Sequence, residues 1–346
     1  MSILVTGGTG FIGSHTCLLL LNKGFNLYII DSEINSSKNV LKNISSILKL
    51  RDEDYSERIN FFKGDLRSIS FIEKVFKSAI NKKEPIEAVF HFAGLKSVFD
   101  SNKDPFEYWD NNFVGTLNLL KSMEVNNCKT LIFSSSATIY KSLNKEKIKE
   151  SYLIGPINTY GETKSTIEKL LHSAFRSQPN KWKIANLRYF NPIGAHSSGQ
   201  IGEDPKGVPN NIFPIILKVA KREQKILKIF GNDWDTKDGT CVRDYIHIMD
   251  LAEGHIAAFK FLTKNNSQIV SFNLGTGQGH SVLELINTFK KVNNVDIPYE
   301  FTSRREGDNE FVVADNSLAV SILDWKPKYS LQDMCKDGWN WGKNKK

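Results

Sequence analysis

The sequence predicts an α/β fold, a doubly wound parallel sheet joined to a smaller mixed α/β lobe. Through the first half, short apolar runs alternate with longer amphipathic stretches, the pattern of parallel strands joined by crossover helices. A glycine-rich turn separates the first run from the first amphipathic stretch. After about Arg188 the rhythm loosens into a stretch rich in Gly, Pro and Asn, residues 191–211, followed by shorter elements. The strands are expected at 3–6, 26–30, 60–63, 88–92, 130–134 and 183–188, with helices between them at 12–23, 69–81, 111–126 and 163–176. The main unit is placed at 1–188 and the second lobe at 189–346. The apolar run 270–274 is able to return to the main sheet.

The 346 residues are enough for a large core or two unequal lobes around one cleft. Apolar residues make up 40% and charged residues 24%, an ordinary globular mix that argues against disorder. The net charge of +8 comes from basic residues scattered along the whole chain, with one local run at 343–346. Counterion release at nucleic acid needs a clustered patch, so no nucleic-acid partner is expected. The mildly positive field suits a small anionic ligand such as a nucleotide diphosphate. Cys17, Cys128, Cys241 and Cys335 are far apart, implying neither a disulfide framework nor a zinc knuckle. The seven histidines show no H-E-x-x-H spacing, so no metal is expected. The first strand begins two residues after the start and the longest apolar run, 17–21, is too short for a bilayer. A soluble, cytoplasmic protein without a membrane partner is the expectation.

The turn after the first strand reads Thr6-Gly7-Gly8-Thr9-Gly10-Phe11-Ile12-Gly13. Glycines at 7, 10 and 13 permit a tight turn, close approach of backbone to a pyrophosphate, and close packing of helix on strand. The free amides at the helix start, around Phe11 and Ile12, then face the phosphates. A glycine triplet alone is equally a plain strand-to-helix turn. Asp31 closes the second strand, where a carboxylate accepts from both hydroxyls of an adenosine ribose and repels a 2′-phosphate, favouring NAD over NADP. Asp65, after the third strand, is within reach of an adenine amino group, and reads almost as well as a turn aspartate. Asn35 and Leu66, beside these aspartates, complete this part of the candidate cofactor set. The pattern is that of a Rossmann dinucleotide fold.

Tyr160 and Lys164 stand four residues apart, which on a helix puts phenol and ammonium on one face. A free tyrosine has a pKa of about 10, so a base working at neutral pH needs that lowered by roughly three units, about 4 kcal/mol. The Lys164 charge and a nicotinamide cation are expected to supply this in a partly desolvated cleft. Such a pair by itself is commonly an exposed helical pair. Ser136, in Ser134-Ser135-Ser136-Ala137-Thr138 at the end of the fifth strand, is placed where doubly wound sheets hold ligands, and can hydrogen-bond a reacting hydroxyl.

With these three residues in order, the chain resembles the extended short-chain dehydrogenases/reductases, and among them the UDP-glucose (UDP-galactose) 4-epimerase family. Segments 6–14, 91–96, 133–140, 188–196, 210–211, 230–233, 243–247 and 304–308 carry the resemblance, which runs close to end to end. It implies a reversible C4 epimerisation through a 4-keto sugar, with tightly bound NAD taking and returning one hydride. Tyr160 would take the proton from the 4-hydroxyl, Ser136 and Thr138 would steer it, and Lys164 would also hold the nicotinamide ribose. Phe92, Ala93, Gly94, Lys96 and Asn111 would line the cofactor, Lys96 near its diphosphate, with Tyr189 by the nicotinamide. Asn191, Asn210 and Asn211 would hold the UDP-hexose. Phe230 would face the uracil, Arg243 and Arg305 would pair with the diphosphate, and Asp308 would contact the uridine ribose. The family also implies a homodimer.

Three positions depart from the family pattern: Lys141 replaces a usual glycine, Ser32 a frequent asparagine, and Phe99 a small residue. Val312 stands where some members carry a tyrosine that limits the sugar pocket, so the resemblance leaves room for N-acetylated UDP-hexoses. A nucleotide-sugar 4,6-dehydratase shares the cofactor turn, Tyr and Lys, but normally carries Asp-Glu after the active-site Ser/Thr, where this chain reads Ala137-Thr138-Ile139. A non-catalytic dinucleotide sensor tends to lose the Tyr or the Lys, and both are present.

Overall fold

A computed structural model describes residues 1–141, 145–207, 209, 211–305 and 307–345. The first strands and helices run β1 (Ser2–Thr6), α1 (Phe11–Asn22), β2 (Asn26–Asp31), α2 (Asn39–Leu48), α3 (Asp52–Arg58), β3 (Ile59–Lys63), α4 (Ile69–Asn81) and β4 (Ile86–His91). They continue through α5 (Val98–Lys103), α6 (Pro105–Tyr108), a π-helix at Trp109–Val114, α7 (Gly115–Val125), β5 (Thr130–Ser136), a 3-10 turn at Ala137–Ile139, α8 (Thr159–Ser177) and β6 (Lys183–Tyr189). The expected helix at 111–126 is thus divided: its first turn is π-helical and carries Asn111, and such bulges recur at functional sites. The helix expected from 163 starts at Thr159, because the Asn158 side chain caps it by accepting from Gly161 N. Tyr160 and Lys164 therefore share one helix.

The second half runs β7 (Asn191–Ile193), α9 (Ile212–Ala220), β8 (Leu227–Phe230), β9 (Val242–Arg243), β10 (Tyr245–His247), α10 (Ile248–Lys264) and β11 (Gln268–Leu274). It ends with β12 (His280–Ser281), α11 (Val282–Asn293), β13 (Tyr299–Thr302), β14 (Phe311–Val312), α12 (Ser317–Leu323) and α13 (Leu331–Asn344). The main sheet has the order β11-β6-β5-β4-β1-β2-β3, every pair parallel. The run at 270–274 does return to it, as the edge strand β11 beside β6. Small sheets β10-β7, β12-β9-β14 and β13-β8 make up the rest.

Parallel strands are buried on both faces, which is why they read as continuous apolar runs. One face packs Val5, Leu18, Ile29 and Phe90 with Phe259 and Leu262 of α10; the other packs Leu4, Ile30, Val75, Leu119 and Ile167. Burying a Leu or Ile side chain is worth about 1.5–3 kcal/mol, so these two layers hold the strand ends in place. A third core, around Phe213, Ile229, Leu285 and Phe289, belongs to the second half of the chain. Strand order reverses between β4 and β1, which opens a crevice at their carboxyl ends. Gly7, Phe92 and Asp31 lie at or just past the ends of β1, β4 and β2, and Ser136 and Tyr189 close β5 and β6. Among the described residues no helix is long and apolar enough to cross a membrane, and no group of His, Cys, Asp and Glu is arranged for a metal.

Candidate active site

The glycine turn is fixed by what a side chain would strike. A Cβ on Gly7, at φ +70°, would lie 2.7 Å from Ala93 N, and one on Gly13 would lie 2.2 Å from Gly7 O. Gly10 N donates to Gly7 O at 3.2 Å, and Gly10 caps α1 without any side-chain cap, so the first-turn amides of Phe11, Ile12 and Gly13 open the helix toward the crevice. A diphosphate fits such a cradle. Buried Asp31 ties it to the next strand, accepting from Thr9 N at 3.0 Å, Glu33 N at 2.9 Å and the Ser36 hydroxyl at 2.8 Å. A carboxylate offers about four acceptor positions. Three of these are taken in the chain by itself, which leaves room for one further donor, and a second ribose hydroxyl would displace Ser36 or Glu33.

Asp65 behaves as the turn reading allows: it accepts from Arg67 N, Nε and Nη2 at 2.8, 3.0 and 2.7 Å, and this guanidinium holds its pKa below the usual carboxylate range. Leu66 is buried in the core. Asn35 is exposed and accepts from Lys206 N at 2.7 Å. Lys96, expected at a diphosphate, pairs with Glu203 at 2.7 Å, and Asn211 donates to the same carboxylate oxygen at 3.0 Å. Gly94 lies against Asn112, whose side chain bridges Leu95 N, Leu95 O and the Thr163 hydroxyl. Asn111 is half-buried one residue earlier.

Lys164 is buried, donates to Ser134 O at 2.7 Å, and sits 5.9 Å from the Tyr160 ring centroid and 5.0 Å from that of Phe133. Burial pushes its pKa down to about 7. Burial also pushes the Tyr160 phenol up to about 12; the Ser136 hydroxyl, close enough to hydrogen-bond it, pulls the other way, and Tyr108 adds to the rise. In the chain by itself desolvation is the dominant influence on the phenol, so the lowering expected from Lys164 together with a nicotinamide cation is not present without the cofactor. Ser136 accepts from Thr138 N at 3.2 Å and from the Thr138 hydroxyl at 2.9 Å, which leaves its own proton for the phenol. Tyr160, Ser136 and Thr138 form one hydrogen-bonding group. Tyr189, at the end of β6, bonds His255 Nε2 through its hydroxyl.

A second constellation lies on β9, β14 and the loop before β14. Arg243 Nη1 donates to Asn309 O at 2.7 Å, and Nη2 lies 3.8 Å from Asp308. Arg305 reaches the same carboxylate at 3.4 Å and stacks its guanidinium 4.4 Å over the Phe230 ring. The ring face expected to meet a uracil thus carries an arginine, and Asp308 already pairs with two. Val312 stands in register with Arg243 across the parallel β14–β9 pair. Asn191 N donates to Asp244 O at 3.0 Å, beside the arginine. Asn210 lies outside the described residues. Lys141 is exposed, its N donating to Leu153 O at 2.9 Å; Phe99 is exposed under the Lys103 ammonium; Ser32 is half-buried after β2.

Several residues that sequence reasoning missed join these groups. Arg188 and Glu168 form a buried pair at 2.7 Å behind β5, with Ser135 and Tyr140 bonded to it. Glu203 and His255 were equally silent in the sequence, because their partners lie far along the chain. Asn112 was within reach, as the neighbour of Asn111 inside one polar helical turn.

The family model described as GDP-mannose 4,6 dehydratase matches residues 4–338. A bifunctional UDP-glucose 4-epimerase and UDP-xylose 4-epimerase 1 of Pisum sativum is 45% identical over 343 residues, spanning 99% of this chain and 95% of the relative. The structure of UDP-glucose-4-epimerase from Stenotrophomonas maltophila, with bound NAD and formylated UDP-arabinopyranose, superimposes with a TM-score of 0.92 at 41% identity, covering 99% and 98% of the two chains. That of UDP-glucose 4-epimerase from Bifidobacterium longum, with NAD+ and UDP, gives 0.91 at 42% identity, covering 99% of each. The chain belongs to the GDP-mannose 4,6-dehydratase family and, within it, to the UDP-glucose 4-epimerases.

Proposed function

We propose that the chain interconverts UDP-glucose and UDP-galactose at C4 through a 4-keto sugar, with NAD held in the glycine cradle. The observation that carries this is the group formed by Tyr160, Ser136 and Thr138 at the end of β5, one helical turn from Lys164 and next to a backbone cradle fit for a diphosphate. Bound NAD supplies a place for the C4 hydrogen and gives it back, so no net oxidation results. Its positive ring is also the charge that the Tyr160 phenol lacks in the chain alone.

In this reading Gly7, Gly10, Phe11, Ile12, Gly13, Asp31, Asn35, Asp65 and Leu66 serve the adenosine and diphosphate end. Phe92, Ala93, Gly94, Lys96, Asn111 and Tyr189 line the rest of the cofactor, and Lys164 holds its nicotinamide ribose. Tyr160 takes the proton of the 4-hydroxyl while Ser136 and Thr138 orient it. Asn191, Asn210, Asn211, Phe230, Arg243, Arg305 and Asp308 grip the nucleotide end. Strong remote anchoring lets the hexose turn between its two faces without leaving, the use of binding energy away from the reacting centre. The 4,6-dehydratase reading has no support at Ser136, because no carboxylate follows it.

The test is direct. Purified protein incubated with UDP-galactose and no added NAD is expected to yield UDP-glucose; absence of product even with NAD supplied overturns the reading. Half-buried Val312 supports a finer one, that UDP-GlcNAc and UDP-GalNAc are also interconverted, and Val312→Tyr is expected to remove that activity selectively. Unchanged selectivity in the variant ends that idea. The lobes are taken as 1–188 for NAD and 189–346 mainly for substrate. The working form is taken as a cytoplasmic homodimer, which light scattering tests by mass.

A further inference from the structure

The imidazole of His255, in the middle of α10, is fully buried. Its Nδ1 lies 2.8 Å from Leu251 O, and a carbonyl only accepts, so Nδ1 carries the ring proton. Burial holds the ring neutral, with a pKa down to about 4, which leaves a lone pair on Nε2. That nitrogen faces the Tyr189 hydroxyl. Tyr189 must therefore donate its single proton to His255, and its oxygen is left as an acceptor, with the Ser134 hydroxyl in hydrogen-bonding reach.

The same imidazole also carries Phe92, with ring centroids 4.9 Å apart, as against 5.1 Å to Tyr189. Phe92 follows β4 and Tyr189 ends β6, the two strands that flank β5. One side chain from the second half of the chain thus supports aromatic residues on both sides of the strand that bears Ser134 and Ser136.

We infer that His255 is a positioning residue for the nicotinamide end of the cleft, acting through Tyr189 by fixing its ring and committing its hydroxyl as a donor to the imidazole. The inference rests on the epimerase reading above. Its chemistry is confined to orientation: His255 exchanges no proton with substrate.

The experiment compares wild type, His255→Phe, His255→Gln, Tyr189→Phe and the double variant His255→Phe/Tyr189→Phe for UDP-galactose turnover and for the rate at which NAD leaves on dilution. Loss of one buried acceptor is expected to lower kcat about tenfold, with KM for the UDP-sugar within about twofold, and to speed NAD release. His255→Gln, whose amide oxygen still accepts, is expected to recover most of the loss. Because both residues act as one unit, the double variant should be no worse than the worse single variant. Wild-type kcat in His255→Phe, or losses that multiply in the double variant, overturn the inference. If His255→Phe fails to fold, Tyr189→Phe must still show the lowered kcat, and a wild-type value there overturns it equally. A wild type inactive on UDP-galactose sinks the epimerase reading, while NAD release from the same variants still decides the inference.

Discussion

At the turn after β1 the proposed diphosphate cradle consists of backbone: Gly7 and Gly13 have no space for a Cβ, and Asp31 bonds the turn to the loop after β2. Around β9 and β14 the proposed nucleotide clamp consists of side chains: Arg243 and Arg305 meet on Asp308, and Arg305 covers Phe230. The first region is ready as it stands. The second is closed on itself, so an incoming nucleotide must exchange ion pairs and a stacked guanidinium for its own phosphates and base. A cofactor that stays and a substrate that comes and goes call for this contrast between a rigid seat and a grip that can reopen.

The largest test leaves both regions intact and removes the chemistry between them. Tyr160→Phe is expected to lower kcat by about 10²–10⁴ with an unchanged melting curve and unchanged NAD content, the usual range for loss of a general base. Turnover of UDP-galactose and the absorbance of released cofactor check it. Next comes the rigid seat. In Gly13→Ala the added carbon meets Gly7 O at 2.2 Å, so the purified protein is expected to carry little NAD and to recover activity poorly when NAD is added. A fully loaded variant would show that the turn is softer than the comparison holds.

The clamp should respond by degree. Arg305→Ala removes a charge-assisted contact worth about 1.5–3 kcal/mol, which corresponds to a KM about 10- to 100-fold higher with kcat nearly unchanged. Steady-state kinetics at two ionic strengths check it, since screening should raise the wild-type KM and narrow the gap. The last test concerns stability. Burial lowers the Lys164 pKa from 10.5 to about 7, so between those values the unfolded chain binds more protons than the folded one. The stability linked to this group is present above 10.5 and is lost as pH falls toward 7. Lys164→Met should therefore be inactive yet more stable than wild type at pH 7, by a margin that shrinks at pH 9 in urea unfolding. A margin that does not change with pH would contradict the burial account.

Much of the molecule is legible in the sequence. The parallel strands of the first half are legible because burial on both faces leaves unbroken apolar runs, and the observed strand ends differ from the expected ones by one or two residues. Tyr160, Lys164 and the glycines were legible because their geometry is local, set by one helical turn or one tight turn. What escaped was long-range. Periodicity has no means to show that Glu203 meets Lys96, that His255 meets Tyr189, or that Arg188 meets Glu168. Nor does it reveal self-occupancy: Asp65 held by Arg67, and Phe230 covered by Arg305, follow from which charge happens to lie nearest in the folded chain.

β14 pairs in parallel with β9, with Val312 in register with Arg243 and its carbonyl accepting from Asp244 N at 3.0 Å. That bond is made by main-chain atoms, and every residue type supplies the same carbonyl. Residue 312 can therefore be exchanged, over evolutionary time or by a protein engineer, while the arginine next to it keeps its place. If Val312 borders the hexose and Arg243 the diphosphate, as proposed, sugar choice can drift on this scaffold without loosening the nucleotide handle.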